Sequence, residues 1–269
     1  MRKDASLIIL FLSIFFGCYQ VFAMELITLN IWGGHVRYPL IEFIKSHEKV
    51  DIFCIQEVYN NAQHKISNDD NEVNLKVFSE LHALLPEHNG YFTSVVDSGY
   101  GIGIFINKKI DILEKGDINI HENLNYPGRG PTHSRKLQWL KCRFNNKIFY
   151  VLNVHGLWNG KGKTDTLERL IQSRKIRGFM DSLKDPKILC GDFNLKPDTE
   201  SISILEKGME NLIKSYNIHS TRTVLYPKEE KFADYIFISP EIKVNNFEVL
   251  KNVVSDHAPL LLNFSLSTQ

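Results

Sequence analysis

The sequence predicts an α/β protein built as a layered sandwich. Short runs rich in β-branched and aromatic residues recur along the chain, and stretches with apolar residues at helical spacing lie between several of them. The 269 residues, of which 43% are hydrophobic and 23% charged, suffice for a large buried core. This composition excludes a collagen-like chain, a disordered chain and a polytopic membrane protein.

The individual elements follow from local patterns. Apolar runs predict strands at residues 25–31, 50–55, 102–106, 148–154, 187–190, 235–238, 242–249 and 259–264. Amphipathic spacing predicts helices at residues 39–47, 72–85, 164–183 and 199–207. Pro86 is expected to end the second helix, Thr164 to cap the third, and Gly208 to end the fourth.

The first residues have the pattern of a secretory signal peptide. Arg2 and Lys3 precede an apolar run at residues 7–16, which is shorter than the roughly 20 residues of a membrane-spanning helix. We therefore expect cleavage after Ala23 and a secreted or periplasmic single domain at residues 24–269. Two alternatives stay open, namely a lipid anchor at Cys18 and a cytoplasmic protein that starts at Met24.

Cysteine content and charge restrict the function only weakly. The domain keeps Cys54, Cys142 and Cys190, an odd number that fits small buried side chains better than a disulfide framework. Acidic residues are in excess at 24–126 and basic residues at 133–187, while the net charge of the whole chain is +1. This balance argues against a DNA-coating protein, whereas the basic part suits a phosphate-bearing substrate.

Polar side chains follow several apolar strands at the point where each strand ends. They are Asn30, Glu57, His155, Asp192, Asn194, Asp234, Asp256 and His257. Each alone has an ordinary explanation as a solvated strand end or a turn residue. Because strand ends present short polar side chains on a rigid scaffold, the repeated pattern predicts a single site.

The residue types in this series suit hydrolysis at phosphorus. Asp192 and Asn194 are two residues apart, so an extended backbone points both to one face, where they could orient a water and hold a phosphate oxygen. Glu57 offers an oxygen ligand for a hard cation. The chain has no GxxxxGK[ST] loop and no GxSxG motif, which disfavours nucleotide-driven phosphoryl transfer and acyl hydrolysis.

Six short motifs in order resemble the endonuclease/exonuclease/phosphatase superfamily of deoxyribonuclease I-like metal-dependent phosphoesterases. They lie around Asn30, Gln56-Glu57, Asn153-Val154-His155, Gly191–Asn194, Asp234-Tyr235 and Ser255–His257, and Arg169-x-x-Gln172 resembles the family too. The resemblance implies a four-layer α/β sandwich, with two mixed β-sheets flanked by helices. It also implies phosphodiester hydrolysis that depends on Mg²⁺, with Mn²⁺ as the expected substitute.

The resemblance further implies a role for each residue. Glu57 would be the main metal ligand, with Asn30 and Asp256 beside it. Asp192 would orient or deprotonate the attacking water, and Asn194 would hold the phosphate. His257, paired with Asp234, would stabilise the phosphate as negative charge develops.

His155 would protonate the leaving oxygen, and it separates this chain from the apurinic endonucleases, which carry Tyr at that point. Its carboxylate partner stays unassigned, because the matching segment at 98–102 contains no acid.

Two loops are candidates for substrate contact. Arg129 and Arg135 could meet phosphate, Trp158 could stack on a base, and Lys161 and Lys163 could touch the nucleic-acid backbone. The alternative is a solvated loop around a packed tryptophan.

These features favour a nuclease acting on DNA or RNA. A sphingomyelinase-type lipid phosphodiesterase or an inositol polyphosphate phosphatase is the first alternative, and a catalytically silent binding protein on the same fold is the second. We expect a monomer with no protein partner and no transmembrane segment in the mature chain.

Overall fold

The computed structural model describes residues 23–66, 72–96 and 99–267. The predicted signal peptide, apart from Ala23, and the alternative anchor at Cys18 lie outside the described residues. Within them, no helix is both long and apolar enough to cross a membrane.

Twelve strands and five α-helices make up the described chain, and a single 3₁₀ turn follows the first strand at Trp32–Gly34. The strands are β1 (Met24–Asn30), β2 (Ile52–Tyr59), β3 (His88–Val96), β4 (Tyr100–Asn107), β5 (Asp111–His121), β6 (Arg135–Phe144), β7 (Lys147–His155), β8 (Lys187–Asp192), β9 (Glu210–Asn211), β10 (Asp234–Ile238), β11 (Ile242–Val249) and β12 (Leu260–Leu266). The helices are α1 (Arg37–Ser46), α2 (Val77–Leu84), α3 (Leu167–Ser182), α4 (Glu200–Glu206) and α5 (Leu212–Ser215).

The strands form two mixed sheets that pack face to face. The first has the order β11-β12-β1-β2-β4-β3 and the second β5-β6-β7-β8-β10-β9. In each sheet one parallel pair, β1 with β2 or β7 with β8, lies among antiparallel neighbours. Helices α1 and α2 pack beside the first sheet, and α3 and α5 contact the second, with α4 packed on α3. The predicted fold, two mixed sheets flanked by helices, is confirmed.

The differences from the predicted elements have local causes. Strands β3, β5 and β6 were not predicted, because their apolar residues are interrupted by polar ones; most of β5 is exposed or only half-buried. Strand β9 and helix α5 were not predicted either, because two and four residues are too short for a periodic pattern. Helix α2 begins at Val77 rather than at 72. Helix α3 is capped by Thr166, which accepts from Arg169 N, and not by Thr164.

A buried pair of amides joins the two sheets. Gln56 on β2 donates through Nε2 to Asn153 Oδ1 on β7 at 2.8 Å. Asn153 Nδ2 donates back to two carbonyls of the first sheet, Gly103 O at 3.1 Å and Ile55 O at 3.3 Å. Both side chains are inaccessible to solvent. Because hydrogen bonds are directional, this pair sets how one sheet lies against the other.

We expect Asn153→Ala to lower the free energy of unfolding by roughly 1–3 kcal/mol, since it removes the buried hydrogen bond from Gln56 and the donor that bonds the Ile55 and Gly103 carbonyls. Urea unfolding followed by circular dichroism measures the change. The matched control is Asn245→Ala on the exposed strand β11, which is expected to stay within about 0.5 kcal/mol of wild type. Equal effects of the two substitutions would show that the amide pair does not hold the sheets.

Candidate active site

The strand registers bring the predicted residues together at one edge of the sandwich. In the second sheet His155 is the register partner of Asp192, and Asp192 is the partner of Asp234. In the first sheet Asn30 is the partner of Gln56, which directly precedes Glu57. Since these strands end or begin at the same edge, side chains distant in sequence become neighbours.

Gly191 makes this register possible beside Asp192. Its φ is +134°, and a Cβ on it would lie 2.0 Å from Val154 O of the neighbouring strand. Only glycine allows β7 and β8 to approach this closely.

Asp192 is the centre of the site. Asn30 Nδ2 donates to Asp192 Oδ2 and to Glu57 Oε1, each at 3.0 Å. Nε2 of His155 and Nε2 of His257 lie 3.7 Å and 3.6 Å from Asp192 Oδ2. Burial alone would raise the pKa of Asp192, but the neighbouring His257, His155 and Lys163 outweigh burial and hold that pKa below its usual value. Asp192 is therefore a carboxylate that stays ionised.

His257 is held by a carboxylate on the side opposite to Asp192. Its Nδ1 lies 2.8 Å from Asp234 Oδ1, and Asp234 Oδ2 also accepts from Thr221 Oγ1 at 2.9 Å. Burial opposes protonation of this ring, yet the charge of Asp234 raises the pKa of His257 above its usual value. The predicted pairing of Asp234 with His257 is present in the structure.

His155 has no carboxylate of its own among the described residues. The nearest carboxylate oxygens are Glu57 Oε1 and Asp192 Oδ2, each 3.7 Å from Nε2. The His133 ring packs edge-on at 6.3 Å between ring centroids. Burial, helped by the charge of Arg135, keeps the pKa of His155 well below its usual value. In the free protein this ring is neutral.

The carboxylates of this centre fit a divalent cation. Ligand atoms of Glu57, His155 and Asp192 all lie within 4.8 Å of one another. Glu57 sits at a bulge in β2 with φ +58°, a conformation uncommon for a side chain of this size. Burial raises the pKa of Glu57, and a bound cation would offset that effect. Oxygen ligands of this kind suit Mg²⁺.

Two other residues predicted as metal ligands are engaged differently. Asn30 Oδ1 accepts from Trp32 N at 3.0 Å, so its amide group faces the carboxylates as a donor. Asp256 Oδ2 is paired with Arg222 Nη1 at 2.9 Å. In this arrangement Asn30 orients Glu57 and Asp192, and Asp256 holds Arg222 beside the centre.

A cavity of about 450 Å³ opens over these groups. Of the residues predicted to contact substrate, Arg135, Trp158 and Lys163 line it. Arg129 and Lys161 are exposed and lie outside its lining. Asn194 also lines the cavity; its backbone N donates to Asp192 Oδ1 at 2.8 Å and its Nδ2 donates to Gly156 O at 3.2 Å.

Two of the lining cations are buried with unused donors. Lys163 is 2% exposed, and its Nζ has no acceptor among the described residues. Burial lowers the pKa of Lys163 to about 8 even though Asp192 opposes the shift. Arg135 is 1% exposed; its Nη2 donates to Pro131 O at 2.9 Å, whereas Nε and Nη1 lack acceptors within the described chain. Unused buried donors of this kind favour an anionic ligand.

The motif Arg169-x-x-Gln172 holds the segment that carries Trp158 and Lys163. Arg169 donates through Nη1 to Gly162 O at 2.7 Å and to Thr164 O at 2.6 Å, on either side of Lys163. Gln172 Oε1 accepts from Leu157 N at 3.0 Å, directly before Trp158. These two residues therefore position the loop and do not face the cavity.

The sequence analysis missed several lining residues. The Arg222 guanidinium lies 4.0 Å from the ring centroid of Tyr226, and Lys228 Nζ lies 5.4 Å from the Trp158 ring. Tyr100 and His133 line the opposite side. The position of the polar segment 220–232 directly before Asp234 was the one signal that could have indicated Arg222 and Tyr226.

Fold and site together define a phosphoric ester hydrolase. A model of the Endonuclease/Exonuclease/phosphatase family matches residues 27–257, so the chain belongs to this family and the resemblance is confirmed. Members of the family generally depend on a divalent metal, in keeping with the acidic and histidine ligands described above. Among curated proteins, none matches the chain at a significant level.

Solved structures with the same fold come from bacteria and animals. An endonuclease/exonuclease/phosphatase from Bacteroides vulgatus is 22% identical, with a TM-score of 0.72 over 91% of this chain and 100% of that one. A mannosyl-6-phosphatase from Bacteroides thetaiotaomicron is 21% identical, with a TM-score of 0.71 over 90% of this chain and 100% of that one. TDP2 from D. rerio, complexed with a single strand DNA product, is 16% identical, with a TM-score of 0.67 over 90% of this chain and 99% of that one. At these identities the similarity shows the fold alone.

We expect Glu57→Gln to raise the Mg²⁺ concentration needed for half-maximal hydrolysis by about 10-fold or more, because a ligand charge is lost. Hydrolysis of bis(p-nitrophenyl) phosphate over a Mg²⁺ titration measures this change, and the melting temperature with and without Mg²⁺ gives a readout independent of turnover. Glu48→Gln, on an exposed glutamate, is the control. An unchanged Mg²⁺ requirement in Glu57→Gln would place the cation elsewhere.

Proposed function

We propose that the protein is a Mg²⁺-dependent phosphodiesterase that hydrolyses nucleic acid. The observation that supports this most is the convergence of His155, His257 and Glu57 on one buried, ionised carboxylate, Asp192. Phosphodiester hydrolysis needs an oriented water, stabilisation of negative charge and a proton for the leaving oxygen. These side chains can supply all three. The proposed setting is a monomer, secreted or periplasmic.

Asp192 and Asn194 act on the water and the phosphate in this proposal. Asp192 is ionised and can accept a proton from the attacking water, or orient it. Asn194 presents an amide to a non-bridging oxygen. His257, whose pKa Asp234 raises, donates a hydrogen bond as negative charge develops. A Mg²⁺ ion held by Glu57 and Asp192 would neutralise part of that charge, and Mn²⁺ is the expected substitute.

His155 is proposed to protonate the leaving oxygen. Because its ring is neutral in the free protein, it must gain a proton after the substrate binds. The negative charge of a phosphate brought next to the ring raises the pKa of His155, so substrate binding and protonation are coupled.

The rim of the cavity supports nucleic acid as the substrate. Two aromatic rings, Trp158 and Tyr226, lie beside the cations Lys228, Arg222 and Lys163. Aromatic faces interleaved with basic side chains are the usual means of holding single-stranded nucleic acid. The exposed Arg129 and Lys161 are proposed to contact phosphates further along the strand.

A small phosphoester, such as an inositol phosphate or a phospholipid head group, is the second candidate. The cavity of about 450 Å³ favours it, since this is the size of a pocket for one small molecule. The fold is shared by a sugar phosphatase as well as by a protein solved with single strand DNA.

Parallel assays on plasmid DNA, single-stranded RNA, sphingomyelin and a soluble inositol polyphosphate test the proposal. We expect Mg²⁺-dependent cleavage of nucleic acid, reduced at least about 100-fold in Asp192→Asn and in His155→Ala, because each loses a proton-transfer group. The exposed Asp198→Asn and His219→Ala are the matched controls.

Cleavage of the lipid or of the inositol phosphate alone would move the enzyme to the second candidate. Folded protein that is silent on every substrate with Mg²⁺ and Mn²⁺ would indicate a binding protein.

We expect the fall in kcat/KM at alkaline pH to follow the loss of the proton from Lys163. The charged and titratable groups that influence its Nζ are Asp192, Arg222, Asp234 and Asp256. Because the pKa of Lys163 is lowered from 10.5 to about 8, kcat/KM should fall as the pH rises through about 8 and the cation is lost.

Stability should change in the opposite direction to activity. Between pH 8 and 10.5 the unfolded chain binds more protons at this lysine than the folded one, so its contribution to folding improves as the pH rises. The titration of Lys163 therefore does not itself promote unfolding. Lys163→Arg is expected to flatten the alkaline limb of the pH profile. Lys163→Met is expected to lower kcat/KM below about pH 8 and to approach wild type above it, where the wild-type lysine is neutral. The exposed Lys161→Met is the control, and an unshifted limb in Lys163→Arg would assign it to another group.

A further inference from the structure

The cavity beside Asp192 has two flanks of different chemistry. One is a cationic flank, where basic side chains lie against aromatic rings: Arg222, Lys163 and Lys228 with Tyr226 and Trp158. The other is an aromatic flank, a row of rings that ends at His155. Among the lysines and arginines of the described chain that line the cavity, Arg135 is the one outside the cationic flank, and it is only 1% exposed. The two flanks therefore suit different parts of a substrate.

The rings of the aromatic flank are in continuous contact. Consecutive rings pack edge-to-face, and their centroids are separated by 5.0 Å for Tyr59 and Tyr100, 5.2 Å for Tyr100 and His133, and 6.3 Å for His133 and His155. All four rings line the cavity, but each is 5% exposed or less. They form a firm support and offer little surface of their own to a ligand.

Trp32 provides the accessible aromatic surface on this flank. It lines the same cavity and is half-buried, with one side of its ring against His35 at 4.5 Å between centroids. The next residue, Gly33, packs on the row, since a Cβ on it would lie 3.1 Å from Tyr59 Cε2. A large ring thus stands at the mouth of the flank whose inner end is His155.

The backbone of Trp32 is fixed relative to the carboxylates of the site. Its φ is +50°, a genuine outlier for so bulky a residue. Its N donates to Asn30 Oδ1, and the amide of Asn30 donates to Glu57 Oε1 and Asp192 Oδ2. Strained backbone of this kind is found where the surrounding structure holds a residue for ligand binding or catalysis.

The place of His155 decides which part of the substrate meets Trp32. In the proposed reaction the oxygen of water bonds to phosphorus, the bond from phosphorus to the leaving oxygen breaks, and that oxygen takes the proton of His155. The nucleoside that carries this oxygen, the leaving nucleoside, must therefore lie on the aromatic flank. Its base is a flat ring, and every base has a π-face that can stack on an aromatic side chain.

We propose that Trp32 stacks on the base of the leaving nucleoside, while the cationic flank binds the strand that keeps the phosphate. The inference rests on the proposed nuclease function and adds to it a binding site for a nucleobase. Trp32 is then a specificity-determining residue, which favours a leaving group with a flat ring over one without.

The test uses short single strands of thymidine in which a tetrahydrofuran residue, which has no base, replaces one nucleoside at a time. The purified protein cleaves these end-labelled strands with Mg²⁺, under conditions where each strand is cut at most once. Treatment of the labelled products with a phosphatase shows which side of each cut keeps the phosphate. We expect cleavage at a linkage to slow by about 10-fold or more when the residue without a base is on the leaving side.

Variants of Trp32 connect this dependence to the ring. Trp32→Asn removes the ring and suits the positive φ, because asparagine tolerates this conformation. It should lower kcat/KM on complete strands by about 10-fold or more, and a missing base on the leaving side should then cause no further loss. Trp32→Phe, with a smaller ring, should recover part of the dependence and provides the measurement if the asparagine variant does not fold. Tyr38→Ala, at a ring that is 80% exposed, is the control and should behave as wild type.

The outcomes separate the inference from the function on which it rests. If Trp32→Asn slows complete strands and strands without the leaving base by the same factor, Trp32 only supports Asn30, and the inference is overturned while the nuclease stands. Wild-type cleavage that does not depend on the leaving base would overturn it as well. Hydrolysis of bis(p-nitrophenyl) phosphate without cleavage of any linear DNA or RNA would overturn the proposed nuclease and, with it, the inference.

Discussion

The hydrogen bond between Gln56 and Asn153 is the interaction on which the site depends most. Apolar burial holds the two sheets together, but it is non-directional and allows them to slide. Gln56 donates to Asn153 across the sheet interface, and Asn153 donates to backbone carbonyls of the first sheet, so this directional set restricts the relative position of the sheets. Gln56 precedes Glu57, and Asn153 lies two residues before His155, so the pair that aligns the sheets also sets the distance between Glu57 and His155 on opposite sheets.

The loops show what short-range patterns in a sequence can and cannot reveal. The change from apolar strand to polar side chain is a local pattern, and for that reason the segments of Glu57, His155 and Asp192 could be found from the order of residues alone. Which of two neighbouring lysines is buried depends on contacts with residues elsewhere in the chain. Lys161 and Lys163 look equivalent in sequence, yet Arg169 binds the carbonyls on both sides of Lys163, which turns it inward.

The same reason explains the elements that were missed. Strand β5 leaves most of its side chains exposed or half-buried, so the periodicity that marks a strand is weak there. Arg222 comes to the site through a bridge to His257, and Tyr226 through its contact with Arg222. Neither contact has a signature within its own segment. The strands of the fold could thus be predicted better than the loops that line the cavity.

The two central carboxylates divide their work through their surroundings. Asn30 donates to both at the same distance of 3.0 Å, so this shared amide does not distinguish them. Burial raises the pKa of Glu57, whereas His257, His155 and Lys163 lower that of Asp192. Neighbouring titratable groups whose pKa values are driven apart take different roles. A cation beside Glu57 would offset the effect of burial, which suits the role of metal ligand proposed for it. Asp192 is ionised without one, and is therefore able to act on water from the moment the substrate binds.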